Sequence, residues 1–152
     1  MDFNSFDSRK ASETPRALHL KHPATGRLLY DKGQDGKDDE AKPCRVLLLG
    51  IEGETGQNAI HRSQRARMEE ARAGDPQTIL TIHEQSVREI APLVVGFENV
   101  RRGERAATAP EDVAWFLGLQ LVNGTPGQAS FLEQVRKYAS DRAAVLGEGN
   151  AS

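Results

Sequence analysis

Between Pro43 and Gly50 lies Cys44-Arg45-Val46-Leu47-Leu48-Leu49, a short apolar run with the signature of a buried strand. It commits the chain to at least one β element inside a core. The residues before it fit that commitment. Ala17-Leu18-His19-Leu20-Lys21 can alternate as a strand, Pro23-Ala24-Thr25-Gly26 has turn chemistry, and Leu28-Leu29-Tyr30 can return as the second arm of a hairpin over 17–30. Residues 31–42 hold eight charged side chains, Gly33 and Gly36, and no large apolar residue. A run that can bury nothing predicts a solvated, mobile loop. Residues 1–16 are polar apart from Phe3 and Phe6, which predicts a flexible arm.

Beyond the strand the apolar spacing turns helical. Thr55 is a candidate N-cap for a polar surface helix over 56–73, closed by Gly74-Asp75-Pro76. Ile79, Ile82, Val87, Ile90, Leu93 and Val94 define one broad face of a helix over 78–96, kinked near Pro92, and Arg101-Arg102-Gly103-Glu104 reads as a turn. Thr108-Ala109-Pro110-Glu111 has capping-box chemistry for a helix carrying Val113, Trp115, Phe116, Leu117, Leu119 and Leu121, stopped by Asn123-Gly124. Thr125-Pro126-Gly127-Gln128 repeats that start for a last helix, with Phe131, Val135, Tyr138 and Arg142 on one face, ended by Gly147. The expectation is an α+β fold, mainly α: a small β element over 17–54, about four helices over 55–147, and a frayed tail at 148–152.

The length of 152 residues suits one domain, with a core large enough to need neither disulfides nor metals. A single cysteine, no apolar run near 18 residues and no apolar leader predict a soluble protein of a reducing cytoplasm. A net charge of -2 argues against a bulk nucleic-acid binder. Two basic groups, Arg62, Arg65, Arg67 and Arg72, then Arg101, Arg102 and Arg105, are interleaved with Glu69, Glu70, Glu98 and Glu104, as on a solvated face.

Gly50, Gly53 and Gly56 sit between a strand and a helix, where phosphate cradles are built, but the spacing matches neither cradle motif and Glu52 and Glu54 would repel phosphate. His19, His22, His61 and His83 are scattered, there is no G-x-S-x-G elbow, and Cys44 enters an apolar strand. No nucleophile, base and oxyanion site assembles, so the reading is non-enzymatic, with no catalytic, cofactor-binding or metal-binding residue.

The apolar clusters at 115–121 and 131–146 are most simply core; since the first is apolar nearly all round, the alternative is a core with one side left over for a partner helix. Several stretches of 90–146 carry a resemblance. Leu93-Val94-Val95-Gly96-Phe97-Glu98-Asn99-Val100 is similar to a V-x-G-W-x-N stretch, with Phe97 in place of the Trp. Thr108-Ala109-Pro110-Glu111-Asp112-Val113 is similar to an s/t-x-e-n-v helix start. The last helix ends in Val145-Leu146 where a Phe-Leu pair is usual, and Pro23-Ala24-Thr25-Gly26 resembles an opening P-x-T-G turn. In these features the chain resembles the tail assembly chaperones of long-tailed bacteriophages.

That resemblance implies a non-catalytic protein of the host cytoplasm, lost from the finished virion. It would bind the apolar helical tape measure protein, keep it soluble and help recruit tail tube subunits, with self-association possible. Trp115, Phe116, Leu119, Phe131, Val135 and Tyr138 are the candidate contacts, on the density of rings and aliphatics across two capped helices. The rival readings are a permanent virion component (head–tail connector, tail terminator or minor tail subunit) and a small regulatory nucleic-acid binder.

Overall fold

A computed structural model describes residues 1–147. In chain order the elements are α1 (Ser8–Ala11), β1 (Arg16–His19), β2 (Tyr30–Lys32), β3 (Asp38–Pro43), β4 (Arg45–Leu48), α2 (Glu54–Arg72), α3 (Ile79–Ile90), β5 (Val94–Glu98), β6 (Arg101–Arg102), β7 (Arg105–Ala106), α4 (Val113–Leu117), α5 (Phe131–Ala139) and α6 (Arg142–Val145). The fold is α+β, with helix at 41% outweighing strand at 19%, as the sequence predicts.

The Cys44–Leu49 run does form a buried strand. β4 is the middle of a three-stranded antiparallel sheet, β1-β4-β5, with Leu18 opposite Val46 on one side and Val46 opposite Phe97 on the other. Val46 and Leu48 point into the core and the alternate residues are half-buried, the period-two pattern of a strand. Leu20, Ile90, Leu93, Val113, Phe116, Leu117, Leu132 and Val135 pack against them. Each such side chain contributes about 1.5–3 kcal/mol by leaving water. One core therefore draws on the β segment and on the helices together.

The helix over 78–96 is shorter than the periodicity predicts. α3 stops at Ile90, a 3-10 turn carries Ala91–Leu93, and Val94–Glu98 becomes β5. Pro92 has no N–H to continue a helix, and the Val94-Val95 pair that follows suits a strand. The free edge of β4 decides the outcome by offering these residues a backbone partner. Gly96 sits opposite Leu47, where a Cβ would come within 3.0 Å of Leu47 Cδ1.

The charged segment 31–42 is ordered, against expectation: β2 and β3 pair antiparallel around Gly36, whose φ is +76°. A two-stranded ladder satisfies backbone groups without burying apolar surface, so polarity does not forbid it. The N-terminal arm is docked as well. Asp2 caps a 3-10 turn at Phe3–Phe6 and Asp7 caps α1. Ser12 is buried, with its carbonyl accepting from Gly50 N–H at 2.9 Å. Glu13 accepts from Thr55 N–H at 2.9 Å and from its hydroxyl at 3.0 Å, capping α2 from outside. α2 itself begins at Glu54, one residue before the predicted cap.

The two Thr-Pro helix starts do not operate. Thr108 donates its N–H and hydroxyl to Asp112 instead of capping, Ala109-Pro110 is cis, and α4 has five residues before Gly118 closes it. Residues 119–130 are not helical. The last helix starts at Ser130, in a full capping box with Glu133, and breaks after Ala139; Asp141 caps the short α6 that follows. The predicted fraying of 148–152 lies outside the described residues.

Candidate partner-binding surface

The six candidate contacts separate into two sets. Phe116 and Val135 are core residues, 1% and 0% exposed, and neither can touch a partner. Phe116 stacks on Phe131 with ring centroids 4.9 Å apart and meets Phe97 edge-on at 5.2 Å. The aromatic density that suggested a groove is spent on joining α4, α5 and β5. Phe131 is half-buried in that stack. Trp115 is half-buried beneath the Arg102 guanidinium, 5.2 Å from the ring centroid. Tyr138 is half-buried and its hydroxyl donates to Ala17 O at 3.3 Å. Only Leu119 is an exposed aliphatic.

Exposed large apolar side chains lie elsewhere, among them Phe3, Met68 and two sets of aliphatics. Leu119, Leu121 and Val122 follow the end of α4, and Ile79, Leu80 and Ile82 form the first turn of α3; all six are between 45% and 75% exposed. The face of α3 that buries Val87 and Ile90 continues toward its N-terminus past His83. His83 Nε2 lies 3.9 Å from the Cβ position of Gly118, where α4 stops. α4 ends at Leu117, and the chain after it leaves Leu119, Leu121 and Val122 exposed. Sequence reasoning missed Ile79, Leu80 and Ile82 as surface residues because it counted the first and third as a core stripe. The usable signal is the stretch 71–78 before them, which holds no large apolar residue.

The charged groups hold structure. Asp112, 1% exposed, accepts from Arg105 Nη1 and Nη2 at 2.7 and 2.6 Å, from Arg102 at 3.1 Å and from Thr108 N–H at 2.9 Å. Arg105 above all, then the Thr108 amide, hold its carboxyl far below the usual carboxylate range. Arg101 pairs with Asp31, so the whole second basic group is bound to carboxylates; in the first, Arg67 pairs with Glu89. Burial pushes the Cys44 thiol up, and it donates to Asn99 O at 3.2 Å, an environment for a protonated, inert sulfur. His19 Nε2 lies 2.7 Å from Leu29 O, and His22 Nδ1 accepts the Ala24 amide at 3.0 Å. Both are structural contacts.

The three glycines after β4 mark close packing. A Cβ on Gly50 would meet Ser12 and Val145, on Gly53 would meet Glu13, and on Gly56 would meet the Ile51 backbone. Among the described residues no group of three His, Cys, Asp or Glu side chains is placed to hold a metal, and no helix is long and apolar enough to cross a membrane. No family model, curated protein sequence or solved structure matches the chain.

Proposed function

We propose that this chain is a non-catalytic holding protein, a bacteriophage tail assembly chaperone whose client is the apolar helical tape measure protein. The observation that carries the reading is two sets of exposed aliphatics: Ile79, Leu80 and Ile82 on α3, and Leu119, Leu121 and Val122 after α4. An amphipathic client helix laid on such a surface removes apolar area on both sides from water, at about 25 cal/mol per Å². Arg62, Arg65 and Lys137, all exposed, keep a coated client soluble. Trp115, Phe131 and Tyr138 keep a supporting part at the rim; Phe116 and Val135 hold the scaffold. Modest affinity per copy, multiplied along a long ligand, suits a chaperone that tail tube subunits must displace.

The test is co-expression with the large helical tail protein. Ile79→Asp and Leu80→Glu change exposed residues and leave the fold intact, so the variants should purify normally while the client moves to the insoluble fraction. If the double variant solubilises the client as fully as the parent protein, the surface has no such role.

A further inference from the structure

A second surface lies along β1. It is an edge strand, since the sheet order ends with it. Leu20 N–H donates to Cys44 O at 2.9 Å, continuing the register in which Leu18 opposes Val46. Arg16 and Leu18 therefore turn their backbone groups toward β4, Leu20 gives its N–H to Cys44 and its carbonyl to Leu29 N–H, and Ala17, His19 and Lys21 turn theirs outward. α5 meets that edge with two side chains one turn apart. Gln134 accepts the Lys21 N–H through Oε1 and donates to the Lys21 carbonyl through Nε2, both at 2.9 Å, so its amide stands in for a neighbouring strand. Tyr138 takes the Ala17 carbonyl at 3.3 Å. Between them the amide and carbonyl of His19 have no partner among the described residues. A groove of about 890 Å³ opens there, with Leu18, Val122 and Ala129 in its lining.

Lys21, Arg136 and Lys137 also line the groove, and none is in an ion pair among the described residues. Its carboxylates are Glu133 and Asp141, and each faces a helix N-terminus: Glu133 accepts from Ser130 N–H at 3.1 Å, and Asp141 from Ala143 N–H at 2.9 Å. Three cations thus face two carboxylates whose oxygens are partly engaged by helix N–H groups, and the groove keeps an excess of one positive charge.

We propose that this groove binds an extended, acidic peptide segment of a partner protein, which adds to β1 opposite His19 and sets its carboxylates against Lys21, Arg136 and Lys137. A peptide residue presents one N–H and one C=O on the same side, matching both open groups of His19. A nucleic-acid backbone offers phosphate oxygens to the cations and no regular donor for the His19 carbonyl. Gln134 at Lys21 and Tyr138 at Ala17 bound the open stretch on both sides, so the segment pairs with β1 at His19 alone and one register is selected. The groove shares Val122, Tyr138 and Lys137 with the surface proposed for the client, but strand pairing at His19 needs no such client, and the peptide probes read it alone.

Fluorescence anisotropy with the full-length protein tests this, using a short labelled peptide of alternating Glu and Val. Three comparison probes are needed: the Lys–Val counterpart, a Glu–Val peptide N-methylated at alternate residues, and a single-stranded DNA oligonucleotide. The acidic peptide should bind and should slow amide exchange at His19, while N-methylation should abolish binding. Arg136→Glu with Lys137→Glu should weaken the acidic peptide by about tenfold or more and create binding of the Lys–Val peptide. No binding of the acidic peptide overturns the proposal. So does equal binding of the N-methylated or Lys–Val probe to the parent protein, tighter binding of the oligonucleotide, or indifference to the charge reversal.

Discussion

Gly56→Ala separates two physical accounts by the sign of its effect. Gly56 lies in the first turn of α2, where alanine is the better helix former by about 1 kcal/mol. Local propensity alone therefore predicts a stabler protein. The packing predicts the reverse. A Cβ on Gly56 would stand 2.8 Å from the Ile51 carbonyl carbon and 2.9 Å from its Cα, and nearer still to its carbonyl oxygen. Ordinary contact begins near 3.4 Å, so helix and loop would have to part by more than half an ångström. Ile51 is poorly placed to retreat. Its N–H donates to Ala139 O at 2.9 Å and its carbonyl accepts the Gln57 side-chain amide at 3.0 Å. Overpacking costs about 1–3 kcal/mol where side chains can give way, and backbone on both sides puts this site at the upper end, about 3 kcal/mol. Against the gain in propensity, the net loss is about 2 kcal/mol, or a Tm lower by about 4–8 °C for a chain of this size. Urea unfolding measures it, with Asn58→Ala, exposed on the same helix, as the control that should gain a few tenths of a kcal/mol, about what propensity gives. If Gly56→Ala stabilises the protein by as much as propensity predicts, the close approach of α2 to Ile51 is not a constraint.

Three further outcomes follow from the same packing. Phe116→Ala should cost about 3–5 kcal/mol in chemical denaturation, because it empties the space between Phe97 and Phe131; a loss below 1 kcal/mol would deny Phe116 its central place. Both ring nitrogens of His83 are buried without a partner among the described residues, so His83→Leu should raise stability by about 1 kcal/mol, seen as a higher urea midpoint; a lower midpoint would mean the imidazole has a bonded role. Asp112 binds its proton far less readily folded than unfolded, where a carboxyl titrates near about 3.9. Its stabilisation is complete above that pH and drains as pH falls toward the depressed folded value. Urea midpoints from neutral pH into acid should fall more steeply for the parent protein than for Asp112→Asn, and equal slopes would remove Asp112 as a source of the acid sensitivity.

Much of the architecture is legible in residue order. The Val46–Leu48 alternation, the polar α2 and the apolar stripe ending at Ile90 all appear where hydrophobic period and local chemistry agree. The failures fall where a distant backbone competes. Val94-Val95 continues a helical stripe by spacing, yet forms β5 because β4 has an open edge. Thr108 has the chemistry of a cap, yet donates to Asp112, which two arginines have already placed. Phe116 and Val135 share a pattern with Leu119 and Tyr138, and nothing local distinguishes a ring that faces the sheet from one at the rim.

The sequence by itself determined an α+β chain with one buried central strand, because burial period and glycine or proline punctuation are properties of neighbours along the chain. The tertiary structure alone decided which aliphatics stay in water. Exposure depends on which element packs where, and α4 ends at Leu117, leaving Leu119, Leu121 and Val122 in water. It also decided that the edge of β1 remains open at His19, since only the placement of Gln134 and Tyr138 on α5 sets which backbone groups are satisfied.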